Sequence, residues 1–205
     1  NPSSDQDSYN VAVGQQSQVS GTTICQNTSV GGLSLRDNTT GTTLTAIGFC
    51  ALAKNTDANC NTAVGAYSMR QNTTGACNTA VGRNSLCSNT TANNNTAIGF
   101  CSLFANTTGV SNTAVGRTSL SSNSTGVNNV ALCNNAMETN TEGDSNVAVG
   151  RYALYSNTTA NNNTALGLCS LYANTTGTNN VAIGTQALCT NVSGCCNVAI
   201  GQEAG

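Results

Sequence analysis

The pattern carried by Asn180-Val181-Ala182-Ile183-Gly184 returns at every seventeenth position along almost the whole chain. Its Asn falls at Asn10, Asn27, Asn61, Asn78, Asn95, Asn112, Asn129, Asn146, Asn163, Asn180 and Asn197, with Leu44 in the one missing slot and no insertion or deletion. A short period kept this strictly selects a solenoid, in which one coil cannot bury its apolar residues until neighbours stack on it. The expectation is an all-β, single-domain β-solenoid (parallel β-helix or β-roll) over residues 10–205, in about 12 coils of equal length. Residues 1–9, which hold the only Pro, precede it as an N-terminal half-coil or junction segment. At roughly 4.8 Å per coil, the rod is about 55–60 Å long.

Low charge and abundant small polar residues would suggest disorder, but the fixed period argues against it. The chain has six basic residues and a net charge of −2, so it has no electrostatic footprint for nucleic acid and no polybasic membrane patch. No run approaches the roughly 18 consecutive apolar residues that a membrane span needs. There is no His, one Lys (Lys54) and no nucleophile motif, so no catalytic, cofactor or metal residues are expected. Eleven Cys without a CxxC pair or zinc-like spacing point to an oxidising, extracellular setting. The chain opens at Asn1 without Met, as a secreted product does after signal removal, and as a piece of a longer chain would.

With the motif Asn as position 1, position 4 is always Val, Ile or Leu and position 9 is Leu or Met in nearly every coil. These columns, with Val64, Val81, Ile98, Val115, Leu86, Leu103 and Leu120 as representatives, are the expected core. Alternation along a strand then turns position 2 inward with position 4 and leaves the Ala of position 3 on the opposite face. Two strands per coil are expected, near positions 1–5 and 8–14, with corners at the Gly of position 5 and the Asn of position 12. Stacked Asn can form hydrogen-bonded ladders. The same Asn also create sequons, as at Asn38-Thr39-Thr40, Asn72-Thr73-Thr74, Asn106-Thr107-Thr108 and Asn174-Thr175-Thr176, so a glycan is the rival reading. Residues 78–120 match 146–188 almost residue for residue, an offset of four coils that fits duplication. In the atypical coil 129–145, Cys133 replaces the corner Gly, and Glu138, Glu142 and Asp144 collect, either as a solvated face or as a Ca²⁺ group without a recognised spacing.

Cys60 and Cys77 share the last position of successive coils and are the first disulfide expected. Cys87 with Cys101, and Cys169 with Cys189, flank one segment of adjacent coils and are further candidates. Cys25, Cys195 and Cys196, toward the ends, are candidates for bonds between chains. An odd total leaves at least one thiol free or paired between chains. Arg83, Arg117 and Arg151 at position 6, with Phe49, Phe100, Phe104, Tyr152, Tyr155 and Tyr172 nearby, make an outward stripe that reads as interface or as corner packing.

The motif at 179–184 is similar to the repeat in heads of trimeric autotransporter adhesins, and 95–108 resembles repeat arrays of phage and viral tail fibres. The resemblance implies a left-handed parallel β-roll, trimeric assembly and binding to a surface receptor. From the residues themselves, the leading expectation is a secreted structural protein whose partner is itself. Nine residues before the first motif and an unfinished last coil would sum to about one coil, so copies would stack head to tail into a disulfide-reinforced fibre, with lateral contacts between rods as an alternative. A third expectation is ice binding through the Thr column at position 13 (Thr39, Thr56, Thr73, Thr90, Thr107, Thr158, Thr175).

Overall fold

The computed structural model describes residues 9–18 and 24–205. Among these, twelve three-residue strands, from β1 (Val11–Val13) through β6 (Thr96–Ile98) to β12 (Val198–Ile200), form one parallel sheet in sequence order, and there is no helix. The register never slips: Thr79 lies opposite Thr96, Ala80 opposite Ala97 and Val81 opposite Ile98. Equal coil lengths bring every position onto its counterpart in the next coil, which makes the chain a β-solenoid. Apart from Tyr9, the expected half-coil 1–9 lies outside the described residues.

The second strand expected over positions 8–14 is absent, and those residues run as successive turns. They still bond coil to coil: the Leu103 N–H donates to the Ser119 carbonyl at 3.1 Å and the Ala105 N–H to the Ser121 carbonyl at 2.9 Å. The chain turns here because positions 7 and 9 both take positive φ, as at Cys101 (54°) and Leu103 (49°). Left-handed backbone costs an ordinary residue about 1–2 kcal/mol. The hydrogen bonds to both neighbouring coils, and the burial of the Leu side chain, offset that cost.

The expected inward face of the strand is reversed. The Ala of position 3 points in and is sealed, as at Ala63, Ala97 and Ala182, while Ile98 of position 4 is 40% exposed. Val64, Val81 and Val115 are only half-buried, so these position-4 residues are not the core. Leu86, Leu103 and Leu120 of position 9 are fully buried and pack against the Ala column in one continuous cluster. The reason is width. A strand facing a turn across a single coil leaves room for one Leu layer, and the strand side chain opposite it must be small.

Polar ladders complete the interior. At position 12, Asn106 Nδ2 donates to Asn89 Oδ1 (3.0 Å) and to the Gly109 carbonyl (2.9 Å), and Asn123 Nδ2 donates to Asn106 Oδ1 (2.8 Å). At position 1, Asn95 Oδ1 accepts from the Asn112 N–H (2.9 Å), while Asn95 Nδ2 reaches the Gly109 carbonyl (2.9 Å). These amides are buried, and each repeats the bonding of the coil before it. At position 5 the backbone demands Gly: Gly65 has φ +128°, and a Cβ there would meet the Gly82 carbonyl carbon at 2.6 Å. Cys133 is the exception, held at φ 100°.

Candidate functional site

A strand that turns Ala inward must turn positions 2 and 4 outward. The outer face of the sheet therefore carries two parallel columns along its whole length. Position 4 supplies Val13, Val30, Ile47, Val64, Val81, Ile98, Val115, Leu132, Val149, Leu166, Ile183 and Ile200. Position 2 supplies Thr28, Thr45, Thr62, Thr79, Thr96, Thr113 and Thr164, with Val at the other strands. Neither column holds a charge. Mid-rod Ile47, Ile98 and Ile183 stand close to 40% exposed, and the in-register pairing keeps them in a straight row. The position-4 side chains thus form a continuous uncharged apolar stripe along the sheet.

The Thr column at position 13 behaves differently. Its hydroxyls are committed to an along-axis ladder: Thr73 Oγ1 donates to the Thr90 carbonyl (3.0 Å), Thr90 Oγ1 to the Thr107 carbonyl (3.1 Å) and Thr107 Oγ1 to the Ser124 carbonyl (3.1 Å). The sequon Asn38, Asn72, Asn89, Asn106, Asn157 and Asn174 are buried within their ladder, and a buried side chain cannot take a glycan, whereas Asn191 of the Asn191-Val192-Ser193 sequon is half-buried at the end of the same ladder.

All eleven Cys are free thiols. Cys60 and Cys77 share a column in successive coils and are unbonded. Cys87 with Cys101 and Cys169 with Cys189 lie at the same corner of adjacent coils and are likewise unbonded, as are Cys25, Cys195 and Cys196. The thiols differ in environment. Burial pushes Cys87 up from its ordinary pKa. Cys195 is lowered, first by the Thr178 N–H donating to its sulfur at 3.4 Å and then by the Thr178 hydroxyl.

The acidic coil does not gather into a metal site: among the described residues, no three His, Cys, Asp or Glu side chains converge. Asp144 instead accepts the Val127 N–H at 2.8 Å, as Asn59 accepts the Thr42 N–H at 2.7 Å, so it belongs to a position-16 ladder. Glu138 lies against Asn135, and its charge raises the pKa of the neighbouring Tyr155 hydroxyl.

The aromatic stripe separates into clusters. Phe49 meets Tyr67 edge to face at 5.4 Å between ring centroids. Tyr155 and Tyr172, on successive coils, stack at 5.3 Å with 6° between planes, and Tyr152 sits edge-on to both. The Arg151 guanidinium lies over Tyr152 at 4.7 Å. No described helix is long and apolar enough to cross a membrane. Comparison with known proteins returns no matching family model, no matching curated protein and no matching solved structure.

Proposed function

We propose that the protein is a structural rod, a component of an extracellular fibre or surface appendage, whose copies pack side by side through the outward sheet face. The observation that carries this reading is the unbroken row of half-exposed Val, Ile and Leu at position 4 of twelve strands. Covering that row with the same row of another copy removes apolar area from water, worth about 25 cal/mol per Å² before the costs of association. Each rod is already held along its axis by backbone pairing and Asn ladders, so assembly asks little further ordering of it. Position 2 is Thr in six successive coils from Thr28 to Thr113 but gives way to Val in mid-rod at Val130 and Val147. That interchange fits a packing surface, where shape matters more than a hydroxyl. Electron microscopy at micromolar concentration should show rods lying in lateral register; isolated particles of a single rod would reject the reading. The resemblance to trimeric adhesin heads makes three the copy number to look for.

Ice binding is the second reading, carried by position 2 in place of position 13. The position-13 hydroxyls are engaged by carbonyls, whereas those of Thr45, Thr62, Thr79, Thr96 and Thr113 stand on the sheet face outside that ladder, one per strand. Thermal hysteresis from a monomeric sample favours this reading, and its absence removes it.

A further inference from the structure

The position-10 column stacks Tyr155 on Tyr172 and then, one coil on, presents Cys189. Tyr155 covers one face of the Tyr172 ring. On the side of Cys189 there is an open cavity of about 530 Å³, lined by Cys169, Tyr172, Ala173, Gln186, Cys189 and Thr190. All six residues come from two adjacent coils. The place where a third ring of the stack would lie is therefore held by a side chain too short to fill it.

We propose that this recess is a binding slot for a small, planar, uncharged aromatic molecule, which enters as the third ring and stacks on Tyr172. Three features set that chemistry. The spacing between Tyr155 and Tyr172 shows that the coil repeat suits ring-on-ring contact. The lining offers no charge, and the volume falls within the range of small-molecule pockets. The exposed lining is almost wholly apolar, which suits an aromatic ring held by stacking more than by hydrogen bonds. Tyr172 is itself braced on its far side by Tyr155 and Tyr152, so the platform is rigid before anything binds.

The test uses the full chain with p-cresol as probe, followed by saturation-transfer NMR and a concentration series. Wild-type protein should show saturable binding. Tyr172→Ala should weaken it about 5–10-fold, as expected for loss of one stacked aromatic partner. Cys189→Tyr should abolish it by filling the slot while raising the melting temperature through a longer stack. Binding that survives Cys189→Tyr, or an absence of saturable binding to wild type, overturns the proposal. So does a wild-type self-association that Tyr172→Ala dissolves, since the slot would then be taken by a second copy. Loss of lateral packing through the sheet face leaves these outcomes unchanged, so the two proposals fail separately.

Discussion

Replacing Asn106 by Ala removes one rung from the buried ladder, and the structure sets the cost. Two bonds donated by Asn106 Nδ2 vanish, to Asn89 Oδ1 and the Gly109 carbonyl, together with the bond accepted from Asn123. At about 1 kcal/mol net for each of the three, with a further 1–2 kcal/mol for leaving the Asn89 Oδ1 without its ladder donor, the loss is about 4–5 kcal/mol. The Gly109 carbonyl keeps the Asn95 amide, so it adds no further penalty. Asn106→Asp is the sharper version, because it turns an acceptor toward two acceptors in a sealed site. Burial raises the folded pKa of that carboxyl above its unfolded value near about 3.9. The folded variant then binds its proton more tightly than the unfolded chain does. Its stability is therefore greatest below about pH 4 and falls as pH rises through the folded pKa. Denaturant unfolding read by circular dichroism measures both variants, with Thr108→Ala as a control that removes the sequon from the exposed side without touching the ladder. A loss below about 1 kcal/mol for Asn106→Ala, at unchanged denaturant slope, refutes the claim that these amides hold the coils together.

Other consequences can be checked in the same way. Cys133→Gly should stabilise the fold by about 1–3 kcal/mol, because Cys133 occupies a backbone conformation that the other coils give to Gly; a lower unfolding midpoint contradicts this. Leu103→Ala should cost about 3–5 kcal/mol and Ile98→Ala under about 1.5 kcal/mol in a monomeric sample, separating two columns that hydrophobicity alone ranks together. Mapped alkylation should label Cys195 at lower pH than Cys87, since hydrogen bonds from Thr178 favour the Cys195 thiolate and burial disfavours that of Cys87. Equal pH profiles would show that those environments do not govern reactivity.

The architecture is legible in the sequence because a period admits few solutions: a coil of fixed length, repeated without slippage, demands stacking whatever the side chains are. The facing of the strand is harder to read. Val64 and Ile98 are better strand and core residues than Ala63 and Ala97 by hydrophobicity alone, and alternation then sends Ala outward, the reverse of what the structure shows. The corrective signal lies in size. Position 3 is Ala in every coil but the one holding Ser29, while positions 2 and 4 pass between Thr and Val or among Val, Ile and Leu. A column that stays small is one with no room. The second strand fails for a different reason: positive φ at Leu103, Met69 and Leu154 is not a choice that side chains of this kind announce, and only coil-to-coil hydrogen bonding imposes it. A shared column for Cys60 and Cys77, and a shared corner for Cys87 with Cys101 and Cys169 with Cys189, bring these thiols near one another, but nearness alone does not make a bond. The outward face becomes visible only once the inward one is known.

That face also supplies the most direct test. Sedimentation equilibrium should be run on the wild type and on a variant carrying Val64→Lys, Ile98→Lys and Leu132→Lys, three outward side chains along one column. Wild type should sediment at two or more times 20.6 kDa, and the variant at 20.6 kDa with the same circular dichroism spectrum. A wild type that stays at the single-chain mass at every concentration, or a variant that assembles as the wild type does, would contradict this.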